Sequence, residues 1–148
     1  MIKKLEHVRD QIAQQIHQVF QRSYKIEADI IGVENFPPLL RSIENIQQSD
    51  SQFYAYLEDG CVAGVIEIVF DGIQLDIDSL VVDPDHFRKG IAGKLIRFVL
   101  DSYEHQKAVV ETAVVNIPAI DLYKKHGFVE FKQWVPSHGI PKVALSIE

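Results

Sequence analysis

Residues 80–95 join a strand, a short loop and a helix in immediate succession, and this segment constrains the fold more than any other. The strand ends at Asp83-Pro84, because proline cannot donate a hydrogen bond to a strand ladder. Small residues follow, and they open the helix. Free N–H groups and the positive dipole end of a helix favour an anion, which small residues allow to approach closely. We therefore predict a phosphate or pyrophosphate site at Arg88, Lys89, Gly90, Ile91, Ala92, Gly93 and Lys94.

Two common phosphate-binding motifs do not fit this segment. In a Walker loop the Gly-Lys pair is followed by serine or threonine, whereas Gly93-Lys94 is followed by Leu95 and offers no hydroxyl to magnesium. The Gly-x-Gly that opens a dinucleotide fingerprint is absent. Taken alone, the segment could also be a plain strand–helix turn with solvated basic residues.

Hydrophobic periodicity divides the remainder of the chain into helices and strands. Apolar residues at helical spacing predict a first helix at about residues 3–22 and a short second helix starting at or just after Pro37-Pro38. Three strands then form an antiparallel meander through the hairpin signals Asp59-Gly60 and Asp71-Gly72. They are expected at residues 53–58, 62–70 and 73–82.

The second half of the chain alternates between helices and strands. We predict helices at residues 90–105 and 117–126, and strands at 107–115, 128–134 and 142–147. The expected order is ααβββαβαββ, which is one α+β domain spanning residues 1–148 around a mixed sheet.

Composition excludes several classes of protein. A formal net charge of −6 argues against general binding to a nucleic acid backbone. The single cysteine, Cys61, rules out an intramolecular disulfide or a cysteine-clustered metal site, and the histidines lack metal-ligand spacing. No apolar run is long enough for a membrane span, and the first residues do not resemble a signal peptide. We expect a cytoplasmic protein without a metal and without membrane or nucleic acid partners.

A second motif follows the predicted strand at residues 107–115. It runs from Asn116 to Phe128 and reads Asn-x-x-Ala-x-x-Leu-Tyr-x-x-x-Gly-Phe. Together with the first segment, its order and spacing resemble the GNAT superfamily, the Gcn5-related N-acetyltransferases. The resemblance covers about residues 57–131, and the first 50 residues fit the variable N-terminal helices of that family.

This resemblance implies a fold and a cofactor site. The fold would be an α/β/α sandwich, with a mixed, mostly antiparallel sheet whose two central parallel strands splay apart. Acetyl-CoA would lie in that gap, with the pyrophosphate on the predicted anion site. The family pattern has Gln or Arg where this chain has Phe87, and Arg88 follows directly after that position. Further cofactor contacts are implied at Leu80, Val81, Val82, Asn116, Ala119 and Tyr123.

The resemblance also implies direct transfer from acetyl-CoA to an amine. A backbone N–H near Val82 would stabilise the oxyanion, and Tyr123 would protonate the departing thiolate or donate a hydrogen bond to it. Tyr123 could instead be an ordinary core tyrosine, and Asn116 could simply cap the helix that follows it.

The proton acceptor for the attacking amine has several candidates. Glu67 and Glu111 each interrupt an apolar strand, where a carboxylate is unfavourable unless it is paired or used. Asp76 and Asp78 lie on one face of the central strand, and His138 lies in the last hairpin loop. Alternatively, the two glutamates pair with a lysine or arginine, the aspartates and the histidine are solvated, and water relays the proton.

We therefore expect an acetyl-CoA-dependent N-acetyltransferase that acts on a primary amine of a small molecule, peptide or protein. One alternative is a catalytically silent module that binds CoA as a sensor, and another is a different nucleotide binder at the same helix start. A homodimer is a further expectation, by analogy with the family alone.

Overall fold

The computed structural model describes residues 1–148, which form seven strands in one sheet with the order β1-β2-β3-β4-β5-β7-β6. The strands are β1 (Ile2–Leu5), β2 (Gln52–Glu58), β3 (Cys61–Phe70), β4 (Gln74–Val82), β5 (Lys107–Ala113), β6 (Val129–Trp134) and β7 (Lys142–Ile147). The helices are α1 (Asp10–Ile31), α2 (Ile43–Gln48), α3 (Ile91–Ser102) and α4 (Ile117–Lys125), and short 3-10 turns lie at Pro37–Leu40 and Pro84–His86. None of these helices is both long enough and apolar enough to cross a membrane.

Helices cover both faces of the sheet, and each face has its own apolar core. On one face the stripe of α1 and Ile46 of α2 pack against Phe53, Val65 and Val81. On the other, α3 and α4 pack against Ile66, Ile68 and the apolar residues of β5 and β7. The predicted α/β/α sandwich with a mixed, mostly antiparallel sheet is confirmed.

The beginning of the chain differs from the prediction. Residues 2–5 form an edge strand antiparallel to β2, with Leu5 opposite Phe53, and the first helix spans Asp10–Ile31 rather than residues 3–22. Val8, an apolar residue within the predicted helix, precedes α1 and is 71% exposed. The true stripe continues through Tyr24 and Ala28, so the helix is shifted along the chain rather than absent.

The predicted second helix is divided in two. A 3-10 turn occupies Pro37–Leu40, and α2 begins after Ser42, whose hydroxyl accepts a hydrogen bond from the Asn45 N–H at 3.0 Å. The remaining predicted elements match the structure to within a few residues. The helix expected from residue 90, for example, begins at Ile91 with Gly90 as its N-cap.

The two central parallel strands separate after a short pairing. β4 pairs with β5 only from Gln74–Lys107 to Ile77–Val110. The register between β3 and β4 shifts at the same level, because Glu67 pairs with Ser79 and Ile68 pairs with Ile77. Asp78 is therefore an extra residue in β4, a bulge that bends the strand. Beyond it, the facing edges of β4 and β5 do not pair with each other, which confirms the predicted splay.

Candidate active site

The splay between β4 and β5 opens into a cavity of about 390 Å³. Five other parts of the chain complete its walls, namely α1, the 3-10 turn at Pro37–Leu40 with Arg41, α4, the β6–β7 loop and β7. A volume of this size is typical of a small-molecule site. The cavity adjoins the gap in which the family resemblance would place acetyl-CoA.

The predicted anion site lies at the N-terminus of α3. Gly90 adopts φ +73° as the N-cap, and a Cβ built on it would meet no heavy atom within 4 Å. Arg88 also has a positive φ, of 65°, and forms no salt bridge. The first N–H groups of α3 are therefore accessible beside a free guanidinium, an arrangement that fits a pyrophosphate. Shallow depressions next to it are lined by Val82, Phe87, Ala92, Gly93, Lys94 and Leu122.

Lys89 and Lys94 are less free than the sequence suggested. The Lys89 ammonium lies 3.3 Å from Glu58, whose carboxylate also contacts His86 Nδ1 at 2.9 Å. These two contacts hold the pKa of Glu58 below its usual range. The Lys94 ammonium lies 5.3 Å from the centre of the Tyr56 ring. The backbone N–H groups therefore remain the best-placed anion ligands.

Asn116 is the N-cap of α4, and Tyr123 lies within that helix. Asn116 is buried, and its Oδ1 accepts a hydrogen bond from the Ala119 N–H at 3.3 Å, so the capping role left open by the sequence is observed. Tyr123 is 6% exposed and packs edge-on against Phe128, and its hydroxyl has no hydrogen-bond partner within the protein. Burial, together with Tyr24 and Glu27, raises the pKa of Tyr123, so the phenol keeps its proton at neutral pH.

Glu67 is buried and fully paired. Its two oxygens accept hydrogen bonds from the Arg41 guanidinium at 2.6 and 2.9 Å, and the Ser79 hydroxyl donates a third at 2.8 Å. Ser51 donates a further one. Burial alone would raise the pKa of Glu67, but Arg41 and Ser51 hold it below its ordinary value. Glu67 does not line the cavity, so the ion-pair alternative describes its surroundings better than the role of a proton acceptor.

Arg41 was not singled out in the sequence. Its guanidinium lies 5.7 Å from the centres of both the Phe20 and the Phe53 rings, and its Nε donates to Asn45 Oδ1 at 2.7 Å. These contacts and the pairing with Glu67 fasten the end of the Pro37–Leu40 turn to the sheet, where it forms one wall of the cavity. An arginine in a loop after two prolines carries no signal of this role.

The four other candidate proton acceptors differ in their positions and partners. Glu111 lines the cavity and pairs with the Lys142 ammonium at 3.4 Å, and Asp76 lies outside it, accepting a hydrogen bond from Gln74. His138 lines the cavity, and its Nδ1 accepts from the Ile140 N–H at 3.2 Å. Asp78 lines the cavity without a salt-bridge partner. Partial burial, Glu67 and Asp76 raise the pKa of Asp78 to about 6.

Glu27 on α1 is a cavity carboxylate that sequence reasoning missed. It lines the same cavity as Asp78 and Tyr123. Burial raises its pKa to about 7, although Lys142 and Asn116 act in the opposite direction. Glu27 lies beyond the predicted end of the first helix, where a lone glutamate resembles a solvated one. Only the folded structure, in which Glu27 and Lys142 of β7 line one cavity, reveals its position.

We expect Glu27→Gln to stabilise the fold at pH 8 but not at pH 4. Because its folded pKa exceeds the ordinary value of 4.5, the folded state binds the proton more tightly, and stability falls as pH rises through about 7. Because solvent screens the partly buried group, we expect Glu27→Gln to raise the free energy of unfolding at pH 8 by about 1 kcal/mol, which corresponds to roughly 2–4 °C in Tm. Thermal unfolding of the variant beside Glu34→Gln, an exposed control, checks this. Equal shifts at both pH values would contradict it.

The sequence matches the model of the acetyltransferase (GNAT) family over residues 13–128. Among curated proteins, UPF0157 protein YqkA of Bacillus subtilis (strain 168) is 40% identical over 129 residues. That match covers 86% of this chain and 38% of the relative. The chain therefore spans about two fifths of the length of the curated relative that it matches.

Several solved structures share the fold at low sequence identity. The ribosomal-protein-S18-alanine N-acetyltransferase from Escherichia coli superposes with a TM-score of 0.75 at 18% identity, covering 99% of this chain and 92% of the other. An aminoglycoside 6'-acetyltransferase type Ii gives 0.75 at 12% identity, with 99% and 96% covered. The PaiA N-acetyltransferase from Thermoplasma acidophilum, solved in complex with coenzyme A, gives 0.73 at 16% identity, with 97% and 96% covered. At these identities the likeness concerns the fold alone.

Proposed function

The chain belongs to the GNAT family of acetyltransferases, and from that premise we propose that it transfers the acetyl group of acetyl-CoA directly to a primary amine. One observation carries the proposal. The gap between β4 and β5 ends in a cavity that is lined by a tyrosine without a hydrogen-bond partner and by carboxylates of raised pKa. These are the groups that proton transfer to a leaving thiolate and from an attacking amine require.

The backbone around the gap would hold the cosubstrate. Acetyl-CoA supplies the thioester whose carbonyl carbon accepts the amine. The N–H groups at the start of α3, with Arg88, would bind the pyrophosphate. The facing edges of Leu80–Val82 on β4 do not pair with β5, so they are available to an extended arm. Asn116 and Ala119 close the gap from the α4 side.

The groups that line the cavity would then carry out the proton transfers of the reaction. A cavity carboxylate, Asp78 or Glu27, takes a proton from the ammonium group, and the free amine attacks the thioester carbonyl. A backbone N–H near Val82 stabilises the negative charge that develops on the carbonyl oxygen. The carbon–sulfur bond breaks, and Tyr123 donates its proton to the leaving thiolate. The nitrogen ends as a neutral amide, and the two protons return to the solvent and the phenol.

The cofactor half of the proposal is tested by titration calorimetry with acetyl-CoA and desulfo-CoA. We expect Gly90→Glu to weaken binding at least ~10-fold, because the carboxylate enters the anion site without a steric clash. Gly90→Gln is the matched control, since glutamine has the shape of glutamate and meets the same backbone strain at φ +73° but adds no charge. Equal binding by the two variants would place the pyrophosphate elsewhere.

Two results would favour the alternatives. ATP binding without CoA binding would indicate a different nucleotide binder. Binding of acetyl-CoA with no transfer to any of a panel of amines and N-terminal peptides would indicate a silent CoA-binding module, an alternative consistent with Phe87 in the position of the family's Gln or Arg.

A further inference from the structure

Two cationic side chains line the cavity, and both already pair with carboxylates of the protein. Arg41 is held by both oxygens of Glu67 at 2.6 and 2.9 Å, and Lys142 pairs with Glu111 at 3.4 Å. Neither is left over to receive a carboxylate from a ligand. An acceptor with a free carboxylate, such as an amino acid, would therefore meet no uncompensated positive charge in this cavity.

Negative charge, in contrast, is left over. Glu27 from α1 and Asp78 from the bulge of β4 line the cavity, and neither has a salt-bridge partner. Together with Glu67 and Glu111, which pair with the two cations, the region holds four carboxylates. The formal charge is −2 when all of these groups are ionised. Tyr123, whose hydroxyl has no hydrogen-bond partner within the protein, lines the same cavity. The cavity is thus built to receive a ligand, and its unused charges match cations.

Resting on the proposed function, we infer that the acceptor is a small aliphatic amine with two positively charged nitrogen groups, one acetylated and the other paired with a cavity carboxylate. Acetyl transfer uses one carboxylate, because the first of the two protons that leave the attacking nitrogen goes to a carboxylate and the second restores the phenol of Tyr123. The other carboxylate has no part in the reaction. A second ammonium group on the acceptor would neutralise it and orient the first group toward the gap.

The size of the cavity supports a small molecule. Its volume of about 390 Å³ must hold the acetyl end of the cosubstrate as well as the acceptor. A linear diamine of a few methylenes fits that space, and its apolar chain would lie against Ile77, Phe36 and Ile140 of the lining.

The test is calorimetric binding to the CoA-saturated protein, with acetyl-transfer kinetics as a second readout. The ligands are linear diamines with three to six methylenes, each compared with the monoamine and the ω-amino acid of the same length. We expect the best diamine to bind at least ~10-fold more tightly than its matched monoamine, because one additional charge pair forms in a partly buried site. The amino acid should bind more weakly still.

Glu27→Gln and Asp78→Asn identify the carboxylate that holds the second group. In one of the two variants the ratio of diamine affinity to monoamine affinity should fall to nearly one, while the affinity for the monoamine is retained. Glu34→Gln, exposed and outside the cavity, should keep the full ratio. The inference is overturned if no diamine exceeds its monoamine, if the amino acid binds best, if no amine binds, or if the ratio survives both cavity variants. Failure of the proposed function is separate, since it would appear as absent acetyl-CoA binding or as amine binding without transfer.

Discussion

Glu67→Ala is expected to lower the free energy of unfolding by about 3–5 kcal/mol. The substitution leaves the Arg41 guanidinium, whose side chain is 21% exposed, without its carboxylate. It also removes the acceptor of the Ser51 and Ser79 hydroxyls. An uncompensated charge between the Phe20 and Phe53 rings is the main cause of the loss. Urea unfolding followed by circular dichroism measures it.

Glu111→Ala is the matched control for this prediction. It breaks an ion pair of the same kind, but Lys142 and Glu111 are 31% and 49% exposed, so the loss should stay below about 1 kcal/mol. The double variant Arg41→Met/Glu67→Met should recover most of the stability, because no buried charge remains. If Glu67→Ala does not fold, Glu67→Gln provides the measurement. Similar losses for Glu67→Ala and Glu111→Ala would contradict the prediction.

Tyr123→Phe is expected to reduce kcat about 100-fold and to leave acetyl-CoA affinity and Tm nearly unchanged. The hydroxyl forms no hydrogen bond within the protein, so its loss breaks no structural contact. The ring keeps its packing against Phe128. The proton for the leaving thiolate, however, is lost. Steady-state kinetics with the best amine, together with calorimetry for the cofactor, separate these effects.

Tyr103→Phe controls for the removal of a phenol hydroxyl as such. That hydroxyl bonds to Tyr54 at 2.5 Å and does not line the cavity. Its removal should change Tm slightly and kcat hardly at all. A Tyr123→Phe variant with normal kcat, or one whose loss appears as weakened cofactor binding, would show that Tyr123 is a packing residue.

Elements with strong local signals could be predicted from the sequence. The meander, α3, β5 and α4 each combine a clear period with a turn residue or a cap, such as Gly90 before α3 and Asn116 before α4. β1 has only four residues, and two of them are lysines that give no strand signal. Its strand conformation comes from pairing with β2, about 50 positions away in the sequence. Local periodicity cannot contain that information.

Those parts of the candidate site that depend on local backbone structure could be predicted from the sequence. The helix start at Gly90 and the position of Tyr123 follow from motifs within short segments. Glu27 and Arg41 depend on long-range packing, because α1 must approach β7 and the Pro37–Leu40 turn must reach β3. For Glu67 and Glu111 the sequence suggested a lysine or arginine partner, but it did not identify Arg41 and Lys142 as the partners. No spacing rule links residues so far apart.

The short pairing between β4 and β5 has a consequence for motion. The three strands β5, β7 and β6 are joined to the other four by only four residue pairs of the sheet, Gln74–Lys107 to Ile77–Val110. Side-chain packing under α3 and α4 must supply the rest of that connection. This half of the sheet therefore forms a natural unit of partial unfolding, which can open without loss of the meander. A molecule that bridges the gap would suppress that opening and slow the exchange of the amide hydrogens along both strands.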